Sequence, residues 1–259
     1  MRGHLWCLSV FFFLTVGDHA LLSTASAEAL AVAAASALNF AMKEVTAKFE
    51  AASGAKVNLS FGASGNLYSQ IRNDAPFDLY FSSDMGYPKK LEEAGLTAPG
   101  TLYRYAVGRL VFWVPKTSPI HIEKGADVLR NSGIGKVSIA NPKHAPFGRL
   151  AVSAMHHFQI YDVVKDKLVM AENVLQAARF VESGAADVGI IALSLALAPT
   201  MKTEGRYWEV PSEAHPVLEQ GAVILKQSKN QDLAKQFLEF LKGSEGLEIM
   251  RRYGFTLPE

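Results

Sequence analysis

From residue 29 onward, short apolar runs alternate with stretches in which apolar residues recur every three or four positions. Leu30 to Ala35 reads as a buried strand. A helix follows from Leu38 to Ala52, with Phe40, Val45 and Phe49 on its inner face and Gly54 as its stop. Val57 to Phe61 is the next strand, and Gly65 to Asn73 a helix with Leu67 and Ile71 inward. Phe77 to Ser82 is a third strand, and Tyr87 to Glu93 a helix ended by Gly95. Strand and helix in alternation predict parallel sheets covered on both faces.

The rhythm breaks over residues 96 to 104, at Pro99 and Gly100, and Tyr105 to Val114 then reads as one long strand able to carry the chain from one lobe to another. A second series follows: a strand Val137 to Ala140, helices Gly148 to Phe158 and Glu172 to Ser183, and a strand Val188 to Ala192. Tyr207 to Pro211 leads through Ala214-His215-Pro216 into a strand Gly221 to Leu225 and a closing helix pair, Asn230 to Tyr253. No internal repeat and no low-complexity tract interrupts this order. The expected fold is α/β with two lobes, each a mostly parallel sheet flanked by helices. Residues 28–106 and 213–259 form the first lobe and 107–212 the second, with a two-segment hinge near 105–109 and 210–216. Ligands of open α/β sheets bind beyond the carboxyl ends of the strands, which here means a cleft between lobes.

Composition narrows the picture at the amino terminus. Arg2 and His4 precede an apolar stretch, Leu5 to Val16, and Ala25-Ser26-Ala27 gives a small-x-small cleavage pattern. Residues 1–27 therefore read as a secretory signal peptide, its apolar run too short for the roughly 20 residues that span a bilayer. The mature chain starts near Glu28. Cys7, the single cysteine of the 259 residues, leaves with the peptide, so the mature chain has no disulfide, thiolate metal site or cysteine nucleophile. With 26 basic and 25 acidic residues the net charge is +1, and no field favours nucleic acid or an acidic membrane surface.

Two segments carry the chemistry, AAASALN at 33–39 and GASGN at 62–66. Each places a serine, Ser36 or Ser64, where a strand stops and a helix starts. There the first backbone N–H groups lack intrahelical partners and the helix dipole presents its positive end, a combination that holds anions. In a parallel sheet both serines face the same edge, and the small residues around them let a ligand approach the backbone. The second lobe offers counterparts: Asn141 to Gly148 follows a strand and opens a helix, leaving the amides of Phe147 and Gly148 to donate, and the helix start at Ala171 to Val174 presents the amide of Val174.

Other constellations are weaker. GASGN departs from the hydrolase elbow G-x-S-x-G at Asn66, and His144 is the one histidine beside a proposed site residue. His156 and His157 are adjacent and point to different helix faces. Asp78 and Asp84 flank a strand as turn and cap residues, and Lys143 and Arg149 read as rim charges near the cleft. A site made of neutral donors suits a fully ionised dianion. A protonated phosphate needs an acceptor as well, and neither serine segment has a carboxylate.

The segments AAASALNFAM, FGASGNLYSQI, PFDLYFSSD, ANPKHAPFGRLA and AENVLQAARFVESGAADVGIIA occur in the order and at the spacing of the periplasmic molybdate-binding proteins that serve ABC importers, and the chain resembles that family over essentially its whole mature length. The resemblance implies a type II periplasmic-binding-protein fold, no enzymatic activity and no cofactor. It implies a monomer that grips molybdate or tungstate by neutral hydrogen bonds and hands it to a membrane permease. Carried over by position, Ser36 and Ser64 are hydroxyl donors, Phe147 and Val174 amide donors, and Asn39 a further polar contact. Two departures stand out: Phe147 replaces a tyrosine found in many members, and Ala192 stands where several members have a ligand-contacting tyrosine. Sulfate or another small anion, a secreted serine hydrolase, and a sensory module remain alternatives at the level of sequence.

Overall fold

The computed structural model describes residues 29–257, so the signal-peptide segment lies outside the described residues. In chain order the first elements are β1 (Leu30–Ala35), α1 (Asn39–Ser53), β2 (Val57–Gly62), α2 (Ser64–Arg72), β3 (Leu79–Ser82), α3 (Gly86–Glu93), β4 (Tyr103–Gly108) and β5 (Leu110–Pro115). Then come β6 (Val137–Ala140), α4 (Pro146–His157), α5 (Tyr161–Val164), β7 (Leu168–Ala171), α6 (Val174–Glu182) and β8 (Val188–Ala192). The chain closes with α7 (Leu193–Ala196), α8 (Pro199–Glu204), β9 (Gly205–Glu209), β10 (Leu218–Ile224), α9 (Gln231–Lys242) and α10 (Ser244–Arg252). None of these helices is long and apolar enough to cross a membrane.

The strands form two five-stranded sheets, ordered β2-β1-β3-β10-β4 and β7-β6-β8-β5-β9. In the first, β1 pairs parallel with β2 and β3, while β10 runs antiparallel to both β3 and β4. In the second, β6 pairs parallel with β7 and β8, and β5 runs antiparallel to β8 and β9. Four strands of each sheet therefore point one way and one points back, which makes the sheets mixed but mostly parallel, a two-lobed type II arrangement.

Burial on both faces explains the continuous apolar runs of the strands. Along β1, Leu30, Val32 and Ala34 pack under α1, α9 and α10 with Val45, Phe49, Phe237 and Ile249. Ala33 points the other way, joining Tyr80 and Val223 beneath Leu67 and Ile71 of α2. Phe49 and Phe237 meet edge to face with ring centroids 5.0 Å apart, a geometry worth about 0.5–1.5 kcal/mol beyond burial. The core of the second lobe also takes in Ala37 and Ala63 of the first, so the apolar interior is continuous across the cleft wall.

Two expectations need correction. Tyr105–Val114 is not one strand: β4 ends at Gly108 in the first sheet and β5 begins at Leu110 in the second, with Arg109 between them. Tyr105–Val107 and Leu110–Val114 are both apolar, so Gly108-Arg109 passes as a brief interruption of one strand, although the partners change. Arg109 forms a two-pronged ion pair with Glu209 at the end of β9. Residues 210–217 return the chain to the first sheet. The other correction concerns residues 168–171, which form β7 on the edge of the second sheet, so that α6 starts at Val174 rather than Glu172.

Candidate functional site

The carboxyl ends of β2, β1 and β3 lie side by side, because β1 is the middle strand and its Ala35 is in register with Gly62. Ser36 follows β1 and Ser64 follows β2. Neither caps its helix: the cap positions are Ala35 and Ala63, and the serines are the first residues of a 3-10 turn (Ser36–Leu38) and of α2. A hydroxyl at a cap would fold back onto the helix amides. One residue later it is left to face outward.

Ser64 is fixed from two sides. Its carbonyl accepts from the Tyr80 hydroxyl at 2.7 Å, and its Oγ accepts from the Ser83 N–H at 3.0 Å. With a lone pair thus engaged, the Ser64 hydroxyl proton is oriented away, as a donor. Burial pushes the Tyr80 hydroxyl well above its usual range, so it stays a protonated donor.

The second lobe contributes two amides by elimination. At the start of α4, Pro146 has no N–H, while Gly148 and Arg149 both donate to the Ala145 carbonyl, at 3.0 and 3.2 Å. Phe147 alone of this first turn keeps an N–H without a protein acceptor among the described residues. The expected second amide, that of Gly148, is already engaged. Gly148 is needed for packing instead: a Cβ there would lie 2.1 Å from the Ala140 carbonyl oxygen, so only glycine lets α4 start this close to the end of β6. At the start of α6, Asn173 Oδ1 accepts from Leu175 and Gln176, both at 3.1 Å, which leaves the Val174 N–H open.

These four groups come together. Ser36, Ser64, Phe147 and Val174 line one cavity with Ala35, Gly62, Ala63, Ser83, Ala145 and Pro146, and all four are at most 3 % exposed. Its cavity volume is about 10 Å³, close to the roughly 10–15 Å³ that holds a single water, so the lobes enclose the site tightly. The lining contains no carboxylate, ammonium, guanidinium or imidazole. Such a chamber suits one small anion held by oriented dipoles and excludes an organic solute of ordinary size. No group of three or more potential metal-ligating side chains occurs among the described residues.

The remaining expected residues lie elsewhere. Asn39 begins α1, is buried, and donates its backbone N–H to the Ser36 carbonyl; it is outside the lining. Ala192 ends β8 against Leu110 and is also outside it. Two residues on, the Ser194 hydroxyl donates to the Ala37 carbonyl at 2.7 Å, joining the lobes at the site's edge. Arg149 does not face the cavity: it pairs with Asp84 across the cleft and lies over the Tyr87 ring. Lys143 and His144 are exposed, and the His144 carbonyl accepts from the Gly65 N–H at 2.9 Å, a further cross-cleft bond. Asp78 is a staple within the first lobe, accepting from the Ala31 N–H and the Ser228 hydroxyl at 2.8 and 2.7 Å. His156 and His157 are exposed on α4, and His156 stacks on Tyr161.

The reading from sequence missed Ser83 as a lining residue and Tyr80 as the support of Ser64. The signal for Ser83 was its place after the third strand of the same sheet edge. It was obscured because no helix begins there; α3 starts only at Gly86.

Comparison with known proteins agrees with this architecture. The family model for bacterial extracellular solute-binding proteins matches residues 30–256. The molybdate-binding protein ModA of Azotobacter vinelandii is 38% identical over 246 residues, covering 94% of this chain and 97% of the relative. Its namesake from Rhodobacter capsulatus is 38% identical over 227 residues, covering 87% and 88%. The solved periplasmic molybdate-binding protein of A. vinelandii superimposes with a TM-score of 0.84 at 32% identity, over 89% of this chain and all of that one (100%). The chain belongs to the bacterial extracellular solute-binding proteins, as a binder of solute and not an enzyme.

Proposed function

We propose that this protein captures molybdate, and also tungstate, in the periplasm between its two lobes and delivers it as a monomer to the permease of an ABC importer. The observation that carries the reading is the convergence of two hydroxyls and two amides from both lobes on one small, charge-free cavity. The names of its relatives support the choice of anion. A bond from a neutral donor to a charged acceptor contributes about 1.5–3 kcal/mol. Four such bonds reach affinities in the micromolar to nanomolar range before the cost of closure. The lining offers no carboxylate to accept the proton of hydrogen phosphate, which disfavours phosphate.

The lobe partition belongs to the same proposal: residues 28–106 and 213–259 in one, 107–212 in the other, turning about Arg109 and 210–217. Sheet membership supports it except at Val107 and Gly108, which end β4 in the first sheet. Residues 1–27 act as a cleaved leader, testable by N-terminal sequencing of the exported protein. The functional test is calorimetric competition among molybdate, tungstate, sulfate and phosphate on the mature chain. Molybdate and tungstate should displace each other and resist the other two; preferential sulfate binding would replace the assignment.

A further inference from the structure

Five buried side-chain polar atoms lack a protein partner among the described residues: Thr46 Oγ1, Ser83 Oγ, Ser138 Oγ, Arg206 Nε and Gln220 Nε2. Ser83 alone among these residues lines the anion cavity. It is 2 % exposed, and a hydroxyl buried without a partner in the closed form is left for a ligand to satisfy. We propose that the Ser83 hydroxyl is a further direct donor to the bound anion and that it helps set which anion is held. This rests on the molybdate reading above.

Three features support it. Ser83 follows β3 as Ser36 follows β1 and Ser64 follows β2, so adjacent parallel strands each deliver a serine to the same edge. The neighbouring Ser82 is already committed: its Oγ donates to the Asp84 carbonyl and accepts from the Asp84 N–H, at 2.8 and 3.1 Å. The Ser83 backbone N–H, in turn, holds Ser64 Oγ. Backbone and side chain of Ser83 therefore have separable roles, one orienting Ser64 and the other left for the ligand. Ala192, whose methyl cannot donate, supplies no competing hydroxyl.

Substituting Ser83→Ala removes the hydroxyl and keeps the backbone N–H, so Ser64 stays oriented. Molybdate titrated calorimetrically into mature wild type, S83A and S83T should give a Kd about 5- to 30-fold weaker for S83A, with S83T recovering part of the loss. The ligand-free melting temperature of S83A should match that of wild type, because the hydroxyl makes no protein hydrogen bond for the substitution to break. A Kd within twofold of wild type would overturn the proposal, as would a weaker Kd accompanied by a lower ligand-free melting temperature, which marks a structural role. Failure of wild type to bind molybdate would overturn the functional assignment instead, and with it this inference.

Discussion

Closure can be attacked without touching a single donor, by substituting Gly65→Ala. The new Cβ would sit 2.8 Å from the His144 carbonyl oxygen, 2.8 Å from the Tyr87 hydroxyl and 3.2 Å from His144 Cα. Tyr87 belongs to the same lobe and can swing aside. The His144 backbone is on the opposite lobe and yields only if the cleft opens. Opening also forfeits the 2.9 Å bond from the Gly65 N–H to the His144 oxygen. Overpacking of this kind costs about 1–3 kcal/mol and the lost bond about 0.5–1.5. A combined penalty of about 2–4 kcal/mol, borne by the closed form alone, weakens molybdate binding about 30- to 900-fold. With the lobes parted, alanine is the better residue for α2 by up to about 1 kcal/mol, so the ligand-free protein should melt no lower than wild type. Calorimetry and a thermal scan of the same sample read both quantities. An affinity within threefold of wild type, in a variant that melts normally, would refute the claim that the binding-competent state brings Gly65 and His144 into contact.

Ser36→Ala and Ser64→Ala should each weaken molybdate binding about 5- to 150-fold in the same titration, and Ser64→Ala should be the more severe because it also orphans the buried Ser83 N–H. Gly148→Ala drives a Cβ to 2.1 Å from the Ala140 oxygen and should lower both the ligand-free melting temperature and the affinity, a pattern that separates it from Gly65→Ala. Burial raises the hydroxyl pKa of both Tyr80 and Tyr105 above the ordinary value of 10.0. The stability they contribute is complete below pH 10 and declines as pH rises, because the unfolded chain ionises first. Denaturation above about pH 10 should show a slope near 1.4 kcal/mol per pH unit for each tyrosine, and Tyr80→Phe should remove one of the two contributions.

Much of this could be read from one dimension. The strand–helix alternation follows from runs such as Leu30–Ala35, apolar throughout because both faces of the sheet are covered. Ser36 and Ser64 announced themselves through the alanines and glycines of their turns. Features that depend on partners distant in sequence did not. The break at Arg109 shows in the sequence only as one charged residue inside an apolar run, and what makes it a boundary is the different sheets that β4 and β5 join. Ser83 lies in a strand end, PFDLYFSSD, whose local pattern says nothing of a cavity shared with Phe147 and Val174. Arg149 looked like a rim charge, yet its carboxylate partner, Asp84, is 65 positions away on the other lobe. β7 is short, on the sheet edge and only partly buried, so LVMA carries too weak a signal to be read as a strand.

The chamber's neutrality shapes what happens after its guest departs. A pocket lined with lysines would be left with like charges facing one another, and the vacant protein would resist shutting. Hydroxyls and amides leave no such residue; a few waters satisfy them, and the vessel can gape or shut while empty at little electrostatic cost. On the proposed function, discharge at the membrane would require only that the two halves be drawn apart.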